Sequence, residues 1–195
     1  MKKHVTPSVG LSWRFSHAIA RPPAGSIVNG LRAVDRGRPD LDTYLAEHTA
    51  YLEALRACGV ETVLLRPLEA YPDSVFVEDA ALCLPEGLIV LRPGAPSRRG
   101  EAAEMARDFE QLGHTFRQID RGSIDGGDIL VTDRGIMVGR SARTNKEGFS
   151  ELEKILSGWG YAAILVETPT DVLHLKSDCA ILGSDSVLCT LSLIH

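Results

Sequence analysis

The stretch DAALCLPEGLIVLR, residues 79–92, predicts a β-hairpin. An acid precedes a short apolar strand, Pro85-Glu86-Gly87 forms a turn, and a second apolar strand follows. The pattern recurs as DILVTDRGIMVGR at residues 128–140 and as DCAILGSDSVLC at residues 178–189. The hairpins therefore recur at an interval of about 50 residues, which indicates a repeat architecture.

A helix and a further strand are predicted between successive hairpins. Apolar residues at helical spacing predict a helix from Glu101 to Leu112, with Met105, Phe109 and Leu112 facing inward. The remaining elements are a strand at 115–119, a helix at 145–156 and a strand at 161–167. This ββαβ unit predicts a propeller of mixed α/β type. A doubly wound sheet is the alternative, but its βα units need no hairpin in every period.

The first third of the chain has a different predicted order. A helix begins after Asp40 and ends at Gly59, because apolar side chains between them share one face. The other elements are a strand at 13–20, a loop at 26–31 and a strand at 62–65. A last buried strand over residues 72–79 would end in two adjacent carboxylates. Buried acids cost several kcal/mol unless each meets a cation, a donor or a ligand.

The composition favours a single catalytic-type domain over residues 1–195, since 195 residues that are 44% hydrophobic can bury a core. A net charge of −5 and the lack of a basic stripe argue against a nucleic-acid partner. No run nears the roughly 20 apolar residues of a membrane helix. The four cysteines form no CxxC or Cys/His cluster, so we expect no metal, no cofactor and reduced thiols in the cytoplasm.

Two acids and one histidine occupy matching places in the repeat. Asp79, Asp125 and His174 lie at the same edge of their units, so we expect them to converge near a pseudo-symmetry axis. A histidine paired with an acid can act as an oriented acid/base. Structural ion pairs, a tight Gly126-Gly127 turn and a histidine packed in an alternating strand at 173–176 are the alternatives.

Two arginine loops are predicted at the rim of this site. Arg98 lies in a Pro/Gly-bounded loop at 92–100, and Arg143 lies in a loop at 141–145. A guanidinium group matches a carboxylate with two hydrogen bonds. Arginines that cap the loops or pair with Glu101 and Glu104 are the alternative. Acids at the centre and arginines at the rim predict a pocket for a zwitterion with a cationic tail, such as an arginine-like amino acid.

With these residues the sequence resembles the dimethylarginine dimethylaminohydrolases of the guanidine-modifying (pentein) superfamily. The matching segments are residues 26–31, 72–79, 92–100, 125–128, 141–145 and 173–176, which run in order along the chain. The resemblance implies an α/β fold of the pentein type, a five-bladed ββαβ propeller that is incomplete here. It also implies hydrolysis of Nω-methylated arginines, with dimethylarginine giving citrulline and dimethylamine.

The resemblance implies a role for each site residue. His174 would be the general acid/base and Asp125 would orient it. The residues implied in substrate binding are Asp73 and the Leu31 carbonyl at the α-amino group, Arg98 and Arg143 at the carboxylate, Phe76 along the alkyl stem, and Asp79 with Glu78 at the guanidinium nitrogens. The small-molecule substrate would be attacked by a cysteine thiolate, which forms a covalent thiouronium intermediate.

The sequence departs from the family at that nucleophile, because none of its four cysteines lies in the expected Gly-rich motif. We therefore expect a truncated chain that lacks its C-terminal blade or blades and is inactive as written. Its unpaired sheet edge would favour association, so a homodimer is left open. A non-catalytic arginine-binding module, or another guanidine-modifying enzyme such as an arginine deiminase, is the alternative function.

Overall fold

The computed structural model describes residues 12–193. Within that range the chain divides into two compact units, the N-terminal unit (Phe15–Val77) and the C-terminal unit (residues 12–14 and 78–193). In this range no helix is both long enough and apolar enough to cross a membrane. The single domain over residues 1–195 stays a prediction.

The N-terminal unit is a βαβ element. It contains β1 (His17–Ala20), α1 (Leu41–Ala57) and β2 (Glu61–Leu64). The two strands pair in parallel. Helix α1 begins where the sequence predicts, because the Asp40 carboxylate accepts the backbone N–H of Thr43 at 2.8 Å and caps the first turn. Strand β1 begins at His17, later than predicted.

The C-terminal unit contains two complete ββαβ repeats and a final hairpin. The first repeat is β3 (Ala81–Leu84), β4 (Gly87–Val90), α2 (Glu101–Gln111) and β5 (Phe116–Gln118). The second repeat is β6 (Ile129–Thr132), β7 (Gly135–Arg140), α3 (Lys146–Trp159) and β8 (Ala163–Glu167). The short helix α4 (Leu175–Asp178) then leads to the final hairpin, which consists of β9 (Cys179–Ile181) and β10 (Val187–Cys189). The predicted hairpins and the ββαβ unit are therefore confirmed.

Strand pairing is the same in both repeats. The first two strands are antiparallel, and the third runs parallel to the second, which gives the orders β3-β4-β5 and β6-β7-β8. Because a parallel third strand needs a crossover connection, α2 and α3 lie where the chain must return. Apolar side chains of both repeats pack into one core, which includes Ile89, Leu91, Ile129, Val138 and Leu152.

The strand predicted over residues 72–79 is wrong. The segment instead forms turns followed by a short 3-10 helix, Val77–Ala80. The backbone N–H of Ser74 donates to the Tyr71 carbonyl, and that of Phe76 donates to the Asp73 carbonyl. These groups are satisfied within the segment, so they do not form a strand ladder.

Two further local predictions are wrong. Residues 173–176 do not form an alternating strand, because α4 begins at Leu175 and His174 occupies its N-cap position. Leu112 does not face inward, since it follows the end of α2 and is 39% exposed. Met105 and Phe109 of the same helix are buried as predicted.

Candidate active site

Asp79, Asp125 and His174 form a compact group in the C-terminal unit, which we call the acid–histidine cluster. One nitrogen or oxygen atom of each side chain lies within 4.8 Å of the others. The predicted convergence of the three residues is therefore observed. Their catalytic roles stay predictions.

The repeat explains why these side chains meet. Asp79 lies in the 3-10 turn that leads into β3, Asp125 precedes the turn Gly126–Asp128 that leads into β6, and His174 precedes α4, which leads into β9. Each residue thus comes from the connection that enters a hairpin. Equivalent connections of successive repeats lie at the same edge.

Asp125 is held by both of its carboxylate oxygens. It is 1% exposed. Its Oδ2 lies 3.0 Å from Nε2 of His174, and its Oδ1 accepts the backbone N–H of Gly94 at 2.7 Å. A carboxylate fixed at one oxygen presents the other in a defined direction, so Asp125 orients the imidazole ring.

Asp79 is held in a similar way. Its Oδ1 accepts the backbone N–H of Gly127 at 3.0 Å, and its Oδ2 binds the guanidinium group of Arg98. Arg98 also binds Glu101, through Nε to Oε1 at 2.9 Å and through Nη2 to Oε2 at 2.7 Å. Every carboxylate oxygen of the cluster thus has a partner within the described residues.

Arg98 differs from the sequence-based prediction in its position. It is buried beside Asp79 and Glu101, so its predicted placement at the rim is wrong. The physical reason is that the 3-10 turn Pro96–Arg98 directs the side chain toward the start of α2, where Glu101 lies. Its role in binding a substrate carboxylate stays a prediction.

The pair Gly126-Gly127 allows two close approaches. A Cβ atom at Gly126 would lie 1.9 Å from the backbone carbonyl oxygen of Glu78, and one at Gly127 would lie 2.5 Å from Nδ1 of His174. The pair therefore forms a tight turn and also lets main chain and imidazole reach positions that a side chain would block.

Asp128 was not assigned a role from the sequence, yet it fixes the segment that carries His174. It is fully buried. Its Oδ1 accepts the backbone N–H of Leu175 at 2.9 Å, and its Oδ2 accepts the hydroxyl of Ser141 at 2.6 Å. Burial raises the pKa of Asp128, although these hydrogen bonds act in the opposite direction. The sequence feature that could have indicated this role is the position of Asp128 at the start of a hairpin, directly after a glycine pair.

Two predicted binding residues lie elsewhere in the C-terminal unit. Arg143 is half-buried and its side chain forms no hydrogen bond or ion pair with residues 12–193. The side chain of Glu78 is exposed and pairs with Lys176 at 2.6 Å between Oε1 and Nζ. Arg143 thus offers an uncommitted guanidinium group, whereas Glu78 already has a cation beside it.

The N-terminal unit contains a cavity of about 390 Å³ that includes the other three predicted residues, Leu31, Asp73 and Phe76. Oδ1 of the buried Asp73 accepts the backbone N–H of Leu31 at 2.9 Å. Tyr44 also lines the cavity, and burial, then the charges of Glu47 and Asp73, raise its pKa. Arg32, Arg36 and Arg38 line the same cavity, so the buried Asp73 carboxylate lies among positive groups.

The electrostatics of His174 give a prediction. Burial alone lowers the pKa of His174, but the hydrogen bond with Asp125 and the charges of Asp79, Asp128 and Asp125 outweigh it, so the pKa is raised above its ordinary value of 6.5. The folded-state pKa is above the unfolded one, so protonation of His174 stabilises the folded protein. This stabilisation is fully present below pH 6.5 and is lost as the pH rises through the folded-state pKa.

We expect NMR titration of the imidazole signals to give a pKa above 6.5 for His174. The Asp125→Asn variant should lower this pKa, because it removes the charge of the hydrogen-bond partner. His48 is an internal control, since burial lowers its pKa despite the opposing backbone hydrogen bond. A His174 that titrates below His48, or that is unaffected by Asp125→Asn, would contradict the ion-pair geometry.

Comparison with known proteins agrees with the fold. The dimethylarginine dimethylaminohydrolase of Pseudomonas aeruginosa, solved as a cysteine-to-serine mutant complexed with citrulline, matches with a TM-score of 0.84 and 40% identity, covering 91% of this chain and 70% of that one. The N-terminal domain of ArgZ, a cyanobacterial arginine dihydrolase, matches with a TM-score of 0.76 at 18% identity, which shows the fold alone. The predicted α/β fold of the pentein type is confirmed.

Comparison of sequences agrees as well. The N(G),N(G)-dimethylarginine dimethylaminohydrolase of P. aeruginosa is 41% identical over 176 residues, which cover 89% of this chain and 69% of that protein. The enzyme of the same name from Streptomyces coelicolor is 37% identical over 88% of this chain and 67% of its own length. A family model described as eukaryotic N,N dimethylarginine dimethylhydrolase matches residues 40–195. The chain therefore belongs to the dimethylarginine dimethylaminohydrolase family.

Proposed function

We propose that the protein acts on Nω-methylated arginines and contributes the cation-binding carboxylate and the proton-transfer histidine of their hydrolysis. The observation that carries this proposal is the 3.0 Å contact between His174 and Asp125, with the Asp79 carboxylate in the same cluster. Membership of the family supports it, since the named relatives are dimethylarginine dimethylaminohydrolases.

The chemistry assigns a separate task to each group. A guanidinium carbon is a poor electrophile because its charge is spread over three nitrogens, and a fixed carboxylate such as Asp79 keeps the group cationic and oriented. When a thiolate, which the described cluster does not itself contain, adds to that carbon, a covalent thiouronium forms and the departing amine takes its proton from the His174 imidazolium; hydrolysis later releases the thiolate. The neutral imidazole can then take a proton from the water that releases citrulline.

The remaining site residues are proposed in the roles that the family resemblance implies. Arg143 suits the substrate carboxylate, because it is half-buried and its guanidinium group has no hydrogen bond or ion pair among residues 12–193. Arg98, which binds Asp79 and Glu101, is proposed at the same carboxylate because the family resemblance implies it there. Asp73 and Leu31 are proposed at the α-amino group, Phe76 at the alkyl stem and Glu78 near the guanidinium group.

Binding without turnover is a second candidate, and one observation favours it. None of the four cysteines, all of which lie within the described residues, is part of the acid–histidine cluster. Cys58 is in the N-terminal unit, Cys83 is on β3, and Cys179 and Cys189 are on β9 and β10. The 195-residue chain would then bind the amino acid and leave it intact.

Calorimetry with Nω,Nω-dimethylarginine and a citrulline assay on the same sample distinguish the two candidates. We expect binding, and we expect Arg143→Ala to weaken it at least tenfold, because each charge-assisted hydrogen bond contributes about 1.5–3 kcal/mol. His174→Ala should leave the affinity nearly unchanged, as should the matched control Arg121→Ala, an exposed arginine. Citrulline production would reject the second candidate, and equal small effects of Arg143→Ala and Arg121→Ala would reject the proposed carboxylate site.

A further inference from the structure

Two of the cysteines face each other across the last hairpin. Strands β9 and β10 are antiparallel, and their register places Cys179 opposite Cys189. Both thiols are free. We propose that Cys179 and Cys189 form a reversible intramolecular disulfide, which makes this hairpin a redox-sensitive modification site independent of the proposed function.

The hydrogen-bond pattern of the hairpin identifies the type of pair. The N–H of Leu182 donates to the Ser186 carbonyl, and the N–H of Thr190 donates to the Asp178 carbonyl, both at 2.9 Å. Hydrogen-bonded and non-hydrogen-bonded pairs alternate along antiparallel strands, so the cysteines, one position from the second of these bonds, form a non-hydrogen-bonded pair.

That pair type has the geometry a disulfide needs. Opposite Cα atoms of a non-hydrogen-bonded pair are about 4.5 Å apart, and their side chains lie closer together than in the other type. Disulfides span Cα separations of about 4.4–6.8 Å. A bond between Cys179 and Cys189 therefore requires side-chain rotation and no change in strand register.

The two thiols differ in environment, which orders the steps. Cys189 is exposed, whereas Cys179 is half-buried and its thiol donates to the Leu175 carbonyl at 3.2 Å. Burial, then the charge on Cys189, raises the pKa of Cys179. The exposed thiol is therefore the one that an external reagent reaches first, and Cys179 is the resolving thiol.

The oxidant is a low-molecular-weight disulfide such as glutathione disulfide. The Cys189 thiolate attacks one of its sulfurs, which forms a mixed disulfide and releases one glutathione thiolate. The Cys179 thiolate then attacks the Cys189 sulfur and releases the second glutathione. The two cysteines lose two protons and two electrons, and one glutathione disulfide becomes two glutathione molecules.

Oxidation also affects the segment next to His174. Once its sulfur is bonded to Cys189, Cys179 no longer has the S–H that binds the Leu175 carbonyl. That bond spans α4, whose N-cap residue is His174. The disulfide thus removes a hydrogen bond from the short helix that follows the proposed acid/base.

The test uses the full chain equilibrated with mixtures of reduced and oxidised glutathione, quenched with acid and alkylated with N-ethylmaleimide. Trypsin cleaves after Lys176 and meets no further Lys or Arg, so both cysteines lie on one peptide, residues 177–195. We expect this peptide to lose both alkylation sites and two hydrogen atoms as the mixture becomes oxidising, and to recover both sites with dithiothreitol. Cys58 and Cys83, on other peptides, are also exposed, so each should at most take up one glutathione as a mixed disulfide, without the loss of two hydrogen atoms that marks an internal bond.

Two variants complete the test. Cys189→Ser should abolish the internal disulfide, and Cys83→Ser, which also replaces an exposed cysteine, should form it as the unmodified chain does. Full alkylation of the peptide 177–195 in every mixture would overturn the proposal. Accumulation of only the mixed disulfide on Cys189 would overturn it too, because it would mean that Cys179 cannot reach its opposite residue.

Discussion

Glu101→Gln is expected to lower the free energy of unfolding by about 3 kcal/mol, since removing one member of a buried ion pair leaves charge uncompensated. Arg98 and Glu101 are 5% and 3% exposed. Burial lowers the pKa of Arg98, but the carboxylates of Glu101 and Asp79 raise it more, so the guanidinium group stays charged. With glutamine at 101, that charge would lose one of the two buried carboxylates that pair with it.

Urea unfolding monitored by circular dichroism measures this loss. Glu167→Gln is the matched control, because Glu167 pairs with Arg140 at 3.0 Å but its side chain is 73% exposed. The control should cost less than about 1 kcal/mol. Equal losses in the two variants would show that burial of the Arg98 pair adds nothing to its strength.

Gly126→Ala is expected to have an effect of similar size. The new Cβ would lie 1.9 Å from the Glu78 carbonyl oxygen, which belongs to the main chain and cannot rotate away. Forcing extra atoms into a packed region lowers the free energy of unfolding by about 1–3 kcal/mol and occasionally more. For Gly126→Ala we expect a loss of about 3 kcal/mol, because the backbone itself must shift. The shift should also lower the pKa of His174, since it separates the acids from the imidazole.

Gly158→Ala supplies the control for the same substitution. Gly158 lies in α3, and a Cβ there meets nothing within 4 Å. Alanine favours a helix over glycine by about 1 kcal/mol, so this variant should be more stable than the unmodified protein. If both alanine variants changed stability in the same direction, the close contact at Gly126 would not be a constraint on the fold.

The repeated elements could be predicted from the sequence because their signals are local. The hairpins have apolar strands around glycine-containing turns, and α3 has both an Asn145 N-cap, which accepts the Gly148 N–H at 2.9 Å, and a left-handed Gly160 at its end. The repeat also predicted the convergence of the cluster, since the connections that enter successive hairpins lie at the same edge of the repeats.

The errors arose where distant contacts decide the local structure. Residues 173–176 alternate like a strand, but the Asp128 carboxylate accepts the Leu175 N–H from 47 residues away and fixes a helical turn. A four-residue pattern cannot distinguish the two forms. For Arg98 the sequence left pairing with the nearby Glu101 open as an alternative, but it does not show that Asp79, 19 residues away, is a second partner and that the guanidinium group is buried between them.

The bonds that build the acid–histidine cluster also join one repeat to the next. The Gly127 N–H reaches Asp79 across 48 residues, the Leu175 N–H reaches Asp128 across 47, and His174 reaches Asp125 across 49. Such contacts form only after the long loops between them have closed, and loop closure costs conformational entropy. The chemistry of this protein is therefore a product of cooperative assembly, and no repeat in isolation would possess it.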